Sequence, residues 1–114
     1  NRQEYQRYLQ SDEWRRKAFQ RMKLDGYQCQ MCGNHGTSMV PLETHHLNYK
    51  HIGNEDLMTD LVTVCRSCHR AIHKLMNRVT AYNPDGSVRH GWKDDIPLST
   101  HVFNINGQNE IVMD

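Results

Sequence analysis

The four cysteines and six of the eight histidines of this 114-residue chain lie between residues 29 and 73. The cysteines form two CxxC motifs, CQMC at residues 29–32 and CRSC at residues 65–68. Each short motif can present two sulfurs to one ion, and four thiolates suit the tetrahedral coordination that zinc prefers. The spacing therefore predicts a structural zinc site on four residues: Cys29, Cys32, Cys65 and Cys68.

Two disulfide bonds are the alternative use of these thiols. The sequence shows neither a signal peptide nor a long apolar span, so we expect a cytoplasmic protein without membrane association. Thiols stay reduced in that compartment, which favours zinc over disulfides. The separation of the two motifs exceeds that of a simple zinc ribbon, so the zinc would join the two ends of a larger unit.

A second group of potential ligands lies between and just after the CxxC motifs. His45 and His46 are adjacent, and His69 and His73 have the i, i+4 spacing that places two side chains on one helix face. Imidazole is a common ligand of catalytic divalent ions, and a site with three protein ligands keeps a position for water or substrate. For the remaining histidines, which lack a partner at ligand spacing, a solvated surface position and a functional one stay equally open: His35, His51, His90 and His101.

The elements that position these residues follow from the hydrophobic pattern. Residues 40–47 and 61–64 are β-branched and apolar enough for two strands, joined by a polar loop over residues 48–60. The second CxxC motif then opens a helix whose apolar positions extend to Val79. The two helix histidines lie at the border of its apolar face, so that one edge of the helix would touch the strand that carries the adjacent histidines.

Two groups of cations are candidate contacts to a phosphate backbone. On the helix after the second CxxC motif, four basic residues recur at four-residue spacing and would face a phosphate backbone: Arg66, Arg70, Lys74 and Arg78. Residues 2–23 are also helical in character, with Ser11 as an N-cap and a stop at Asp25-Gly26. Five cations lie outside the apolar stripe of this segment, and they could equally form a solvated face or contact phosphates: Arg15, Arg16, Lys17, Arg21 and Lys23.

The pattern changes after residue 79. Residues 83–86, Asn-Pro-Asp-Gly, predict a turn, and the segment up to residue 99 has no clear period and is interpreted as loop. Residues 101–105 and 110–113 are candidate strands on either side of Asn106-Gly107, a pair typical of hairpin turns.

Length and composition indicate one domain over residues 1–114, in which zinc would support a small core. We divide it into a helical lead-in (1–26), a zinc-containing core (27–79) and an extension of loop and hairpin (80–114). The formal net charge of +1 indicates attraction neither to membranes nor to bulk polyanions, so a nucleic-acid surface must come from local charge. Because the chain starts at Asn1 rather than at a methionine, its origin in a larger protein or complex stays open.

The segment LETHHLNYKHIGNEDLMTDLVTVCRSCHRAIH resembles the HNH endonuclease family in its zinc-containing ββα-metal form, and the resemblance covers about half of the chain. It implies that His45, His69 and His73 bind the catalytic ion and that His46 is the general base. The family's middle asparagine is replaced by Asp60, in DLVTVC, so the resemblance makes Asp60 a second candidate catalytic residue beside His46. A carboxylate there would either pair with His46 and favour its protonated form, or cap the loop before the strand.

The resemblance implies an α+β fold: a ββα-metal (HNH, His-Me finger) core with a structural zinc on the four cysteines, a helical lead-in and a C-terminal β-hairpin. It implies a hydrolase that cleaves DNA and leaves 5′-phosphate and 3′-hydroxyl ends, with phage biology or defence as the setting. Three imidazoles are compatible with Zn²⁺, Ni²⁺ or Mn²⁺, whereas Mg²⁺ prefers oxygen ligands. The alternatives are a non-catalytic zinc module that binds nucleic acid or protein, and a nuclease that is active only within a larger assembly.

Overall fold

The structure is a computed structural model that describes residues 2–77, 80–92 and 110–112. The chain divides into two compact units, Asn1–His69 and Arg70–Asp114. The expected combination of helices, a small antiparallel sheet and a cysteine cluster is confirmed. The assignment of the whole chain to one domain, with internal bounds at residues 26 and 79, stays a prediction.

The first unit opens with two helices, α1 (Arg2–Leu9) and α2 (Asp12–Leu24), where the sequence indicated one helical segment. The break lies at Ser11, whose backbone is extended and whose Oγ accepts a hydrogen bond from Trp14 N at 3.2 Å. This geometry confirms the predicted N-cap, because it satisfies a backbone donor that the first helical turn leaves open. Asp25 is the C-cap of α2, and Gly26 follows with a φ of +68°, which a residue without Cβ adopts at no steric cost.

Helix α2 presents a buried face that is broader than its apolar stripe. Trp14 is buried, and two cations that were grouped with the outer faces point inward instead. Lys17 Nζ donates to Gly53 O at 3.0 Å, and Arg21 Nη1 donates to Leu57 O at 2.6 Å. A solvated or phosphate-binding interpretation is therefore wrong for these two side chains, because their charged ends hold the loop before the second strand.

The predicted strands form a two-stranded antiparallel sheet of β1 (Leu42–His46) and β2 (Leu61–Cys65). In its register, His45 pairs with Val62 and His46 with Leu61. All residues of β2 are buried. Because successive side chains of a strand point to opposite faces, the two adjacent histidines lie on opposite sides of the sheet.

Helix α3 (Arg66–Met76) begins directly after β2 and continues from the first unit into the second. Residues 78 and 79, which the sequence placed in its last turn, lie outside the described residues. In the second unit, Ile72 and Met76 of α3 are buried, as their apolar spacing predicted.

The second unit also contains β3 (Thr80–Tyr82) and β4 (Glu110–Val112), which pair in parallel with Ala81 opposite Ile111. The interpretation of residues 80–82 as loop is wrong, since pairing with a strand distant in sequence overrides the weak signal of three residues. The turn at residues 83–86 is confirmed by a hydrogen bond from Gly86 N to Asn83 O at 2.9 Å. The predicted strand at 110–113 corresponds to β4, whereas its expected hairpin partner, 101–105, lies outside the described residues.

Within the ranges that the structure describes, no helix combines the length and the apolar character needed to cross a membrane.

Candidate metal centre

The four cysteines converge as their spacing predicted. Their Sγ atoms lie within 4.8 Å of one another, and all four thiols are free. The Sγ atoms of Cys32 and Cys65 are 3.8 Å apart, which matches the separation of about 3.8 Å for two sulfurs at about 2.3 Å from a tetrahedral zinc ion. The set therefore fits a zinc site with four cysteine ligands.

Backbone contacts build this site from two turns. In the first, Gly33 has a φ of +82° and its N–H donates to Cys29 O at 2.9 Å, which closes the turn around the first two thiols. Gln30 N donates to Thr63 O at 3.0 Å and so ties this turn to β2. The second turn is the junction of β2 and α3, where the N–H of Cys68 lies 3.4 Å from the Sγ of Cys65.

The electrostatics of the thiols agree with a site for a cation. Burial raises the pKa of Cys29, but backbone hydrogen bonds from Cys32, Cys65 and Met31 outweigh it and lower that pKa to about 7. Burial and hydrogen bonds with the other thiols raise the pKa of Cys68. Because four thiolates so close together repel one another, full deprotonation of the set requires a bound cation.

A second cluster contains three of the predicted histidines. The ring nitrogens of His45, His69 and His73 lie within 4.8 Å of one another, and the rings of His45 and His69 are 5.1 Å apart. Nitrogens that share one ion at about 2.1 Å lie at most about 4.2 Å apart, so small side-chain adjustments suffice for coordination. His45 is buried and His73 is exposed, and the set fits a divalent ion that keeps a position for another ligand.

A carboxylate on β1 orients one of these rings. Glu43 Oε1 lies 3.1 Å from His69 Nδ1, and its other oxygen accepts from Arg66 Nε at 3.3 Å. When a carboxylate accepts from one ring nitrogen, the other nitrogen becomes the metal donor. Arg66, predicted to contact DNA, is thus paired with Glu43.

His46, the predicted base, lies on the other face of β1, and its side chain is only 3% exposed. Its ring stacks on Trp14 with a centroid distance of 4.5 Å, and Tyr49 lies at 5.7 Å. The hydroxyl of Tyr5 is 3.4 Å from its Nδ1. Burial lowers the pKa of His46, which outweighs the opposing effect of Glu55 and favours the neutral imidazole.

The partner of His46 is Glu55, which sequence reasoning missed. Its Oε2 lies 2.7 Å from His46 Nε2, while Oε1 accepts from Tyr8 Oη at 2.6 Å and from Lys17 Nζ and Gly53 N, each at 3.1 Å. Burial raises the pKa of Glu55, but these hydrogen bonds more than compensate and lower it. The only sequence signal was that Glu55 is one of three acidic residues in the loop over residues 48–60.

Asp60 has a different set of partners. Its carboxylate accepts from Asn48 Nδ2 at 3.0 Å, from His51 Nδ1 at 2.8 Å and from Asp56 N at 2.9 Å. Burial raises its pKa, but these contacts prevail and lower it to about 2. The hypothesis that Asp60 hydrogen-bonds His46 is therefore wrong, because the Asp60 side chain turns into its own loop. Its assignment as a catalytic residue stays a prediction, and the geometry favours the loop cap.

The candidate DNA contacts are distributed over two helices. Arg70 and Lys74 are exposed on α3, and Arg16 is exposed on α2. Arg15 is 69% exposed and forms an ion pair with Asp12 at 3.3 Å. Arg78 lies outside the described residues. An open groove is lined by five residues, of which Tyr5 and Tyr49 contact His46: Arg2, Glu4, Tyr5, Tyr49 and Ile52.

Residues 29–75 match the model of the HNH endonuclease family. The matched segment contains both CxxC motifs, β1, β2 and the three histidines of the second cluster. Neither a curated protein nor a solved structure matches the chain. The segment of residues 29–75, which also contains both candidate metal sites, is therefore assigned to the HNH endonuclease family.

Proposed function

We propose that this protein is a metal-dependent endonuclease that hydrolyses DNA phosphodiester bonds. The observation that carries the proposal is the convergence of His45, His69 and His73 within the segment that matches a nuclease family. Family membership implies a nucleic-acid substrate, and the choice of DNA is part of the proposal.

The two adjacent histidines of β1, His45 and His46, have different roles in the proposed chemistry. A divalent ion held by the three imidazoles would polarise the scissile phosphate and stabilise negative charge on the leaving 3′ oxygen. His46 accepts the proton of the attacking water, a role that requires a neutral ring near neutral pH. Burial, which lowers the pKa of His46, supports that protonation state.

Substrate contacts would come from the exposed cations of α3, Arg70 and Lys74, which offer charge to the phosphate backbone. The groove lined by Tyr5 and Tyr49 adds the cation of Arg2. We expect products with 5′-phosphate and 3′-hydroxyl ends, as the family resemblance implies.

We further propose that zinc fills the cysteine site and that the catalytic ion is zinc, nickel, manganese or magnesium. The cysteine site needs reduced thiols, which supports the proposal of a cytoplasmic protein. The phage or defence setting is proposed from the family resemblance alone.

Plasmid cleavage tests the proposal directly. Supercoiled DNA is incubated with the zinc-loaded protein and with each of several added divalent ions, and conversion to nicked or linear forms is measured. We expect cleavage with at least one ion and its loss in His46→Ala. Absence of cleavage with every ion, from folded protein with both sites filled, would overturn the proposal.

A non-catalytic zinc module that binds nucleic acid or protein is the second candidate. The observation that favours it is the deep burial of His46, with both ring nitrogens in contact with protein groups, as in a histidine of a structural core. Metal stoichiometry after dialysis separates the two functions: a module with one structural site retains one tight zinc, whereas the nuclease also shows an exchangeable site.

A further inference from the structure

Glu55 is a buried carboxylate that the proposed chemistry does not yet use. Its side chain is only 1% exposed, although ionised carboxylates are costly to remove from water unless they are fully hydrogen-bonded. It belongs to the loop between β1 and β2 and contacts groups from α1, α2, β1 and its own loop. A residue held by four parts of the first unit is well placed to orient another side chain.

The two carboxylate oxygens of Glu55 have separate tasks. Oε1 accepts the three anchoring hydrogen bonds, from Tyr8, Lys17 and Gly53. Oε2 faces His46 Nε2 at 2.7 Å. One oxygen therefore holds Glu55 in place, while the other is presented to the imidazole.

The chemistry of the anchoring donors determines the direction of the last hydrogen bond. An ammonium group and a backbone N–H can only donate, so Oε1 is an acceptor in both contacts. A carboxylate that receives several donors is favoured in its ionised form. Oε2 must then accept as well, and Nε2 of His46 must carry the proton that it donates.

We propose that Glu55 is the positioning residue for His46, holding its ring as the Nε2–H tautomer so that the lone pair lies on Nδ1. This inference rests on the proposed nuclease function, in which His46 is the base. Trp14, stacked at 4.5 Å and 17°, sets the plane of the ring, and Glu55 sets its rotation within that plane. Nδ1 is the nitrogen that accepts the proton of the attacking water.

The surroundings of Nδ1 agree with this assignment. Its described neighbour is the hydroxyl of Tyr5, at 3.4 Å, which is long for a hydrogen bond between a hydroxyl and a ring nitrogen. Tyr5 also lines the open groove, so the groove lies beyond the residue that contacts Nδ1. Nε2 is held by a buried group instead, and it is not available to water.

The first experiment measures the tautomer in the parent protein. Two-bond ¹H–¹⁵N correlation spectra of the zinc-loaded protein, at mildly alkaline pH, distinguish a protonated from an unprotonated ring nitrogen. The His46 signals are assigned by their loss in His46→Ala. We expect protonation at Nε2, and a ring protonated at Nδ1 would overturn the proposal without any activity measurement.

The second experiment compares Glu55→Ala with Glu55→Gln. The alanine variant should give a mixture of tautomers at His46 and lower kcat roughly 10- to 100-fold with little change in KM, because orientation rather than binding is lost. Glutamine has one acceptor oxygen, which the three donors to Oε1 would hold, so its NH2 group would face Nε2 and should shift His46 to the Nδ1–H tautomer without restoring kcat. His51, whose Nδ1 faces Asp60, serves as an internal control whose spectrum should not change.

The outcomes separate this inference from the nuclease proposal. A parent with the Nε2–H tautomer that is lost in Glu55→Ala, but with no cleavage activity, would refute the nuclease and keep the positioning role. A cleaving parent whose His46 tautomer is unchanged in folded Glu55→Ala would refute the positioning role alone. If the alanine variant does not fold, the parent tautomer and the folded Glu55→Gln variant decide the question.

Discussion

The carboxylate of Asp60 gives the sharpest stability prediction, through the substitution Asp60→Asn. Its side chain is only 3% exposed, and its pKa is lowered from 3.8 to about 2. Since one pKa unit corresponds to about 1.4 kcal/mol, this lowering amounts to about 2 kcal/mol of folding stability. A lowered pKa means that the contribution is fully present above pH 3.8 and is lost as the pH falls through about 2.

An asparagine at this position keeps one acceptor oxygen and replaces the other with an NH2 group. That group would face a donor in either orientation. On one side is Asn48 Nδ2, whose own amide is oriented because its oxygen accepts from Lys50 N at 3.0 Å. On the other side is the backbone N–H of Asp56. We therefore expect Asp60→Asn to lower the free energy of unfolding by about 2 kcal/mol at neutral pH.

Urea unfolding at a constant excess of zinc measures this loss. With a slope of about 2 kcal/mol per molar urea, the midpoint should fall by about 1 M. Asp12→Asn is the matched control, because that carboxylate is 88% exposed and should change stability by less than about 0.5 kcal/mol. The difference between parent and Asp60→Asn should stay constant from neutral pH down to about pH 5. A midpoint shift no larger than that of the control would refute the reasoning.

Three further predictions concern the metal sites and the DNA contacts. His46→Ala should abolish cleavage and retain both metals, whereas His45→Ala should also lose the exchangeable ion; metal analysis after dialysis checks both, and a fully active His46→Ala would contradict the base assignment. Cys29→Ser or strong chelation should unfold the domain, because structural zinc contributes several kcal/mol to folding; a thermal transition unchanged by either treatment would exclude that role. Arg70→Glu should weaken DNA binding for all sequences and reduce the salt dependence by about one phosphate contact; unchanged binding would remove α3 from the interface.

Local spacing made the metal ligands predictable from sequence. In each CxxC motif, and in the pair of histidines one helical turn apart, the relative position of the ligands is determined by a few neighbouring residues. The structure brings each set together. The strands and the N-cap at Ser11 were predictable for the same reason, because each depends on a short pattern of adjacent residues.

The partner of His46 could not be predicted in this way. Asp60 and Glu55 belong to the same polar loop, and Asp60 is the one that directly precedes β2, where the family has its asparagine. The role of Glu55 depends on side chains of α1 and α2, which are distant in sequence and donate hydrogen bonds to its carboxylate. Lys17 was misinterpreted for the same reason, since a lysine on a charged helix face gives no local sign of a buried acceptor.

The cysteine cluster and the loop carboxylates lie at opposite ends of the same short sheet. A two-stranded sheet is marginal by itself and needs support from its surroundings. At one end of the ladder, Leu42 pairs with Cys65, so the cysteine cluster lies at that end, where a bound zinc would support the sheet. At the other end, His46 pairs with Leu61, and the loop carboxylates hold the chain there.

This arrangement links the zinc site to the proposed chemistry. Cys68 is a zinc ligand candidate in the first turn of α3, and the next residue is His69, so zinc binding would determine where that helix begins and how its histidines face β1. Loss of zinc would therefore displace ligands of the catalytic ion as well as destabilise the fold. The loop carboxylates act at the other end, where Glu55 orients His46. The cysteine site would thus support the ligands of the catalytic ion, and the loop would support the proposed base. His45, paired with Val62 within the ladder, lies between the cysteine site and the loop.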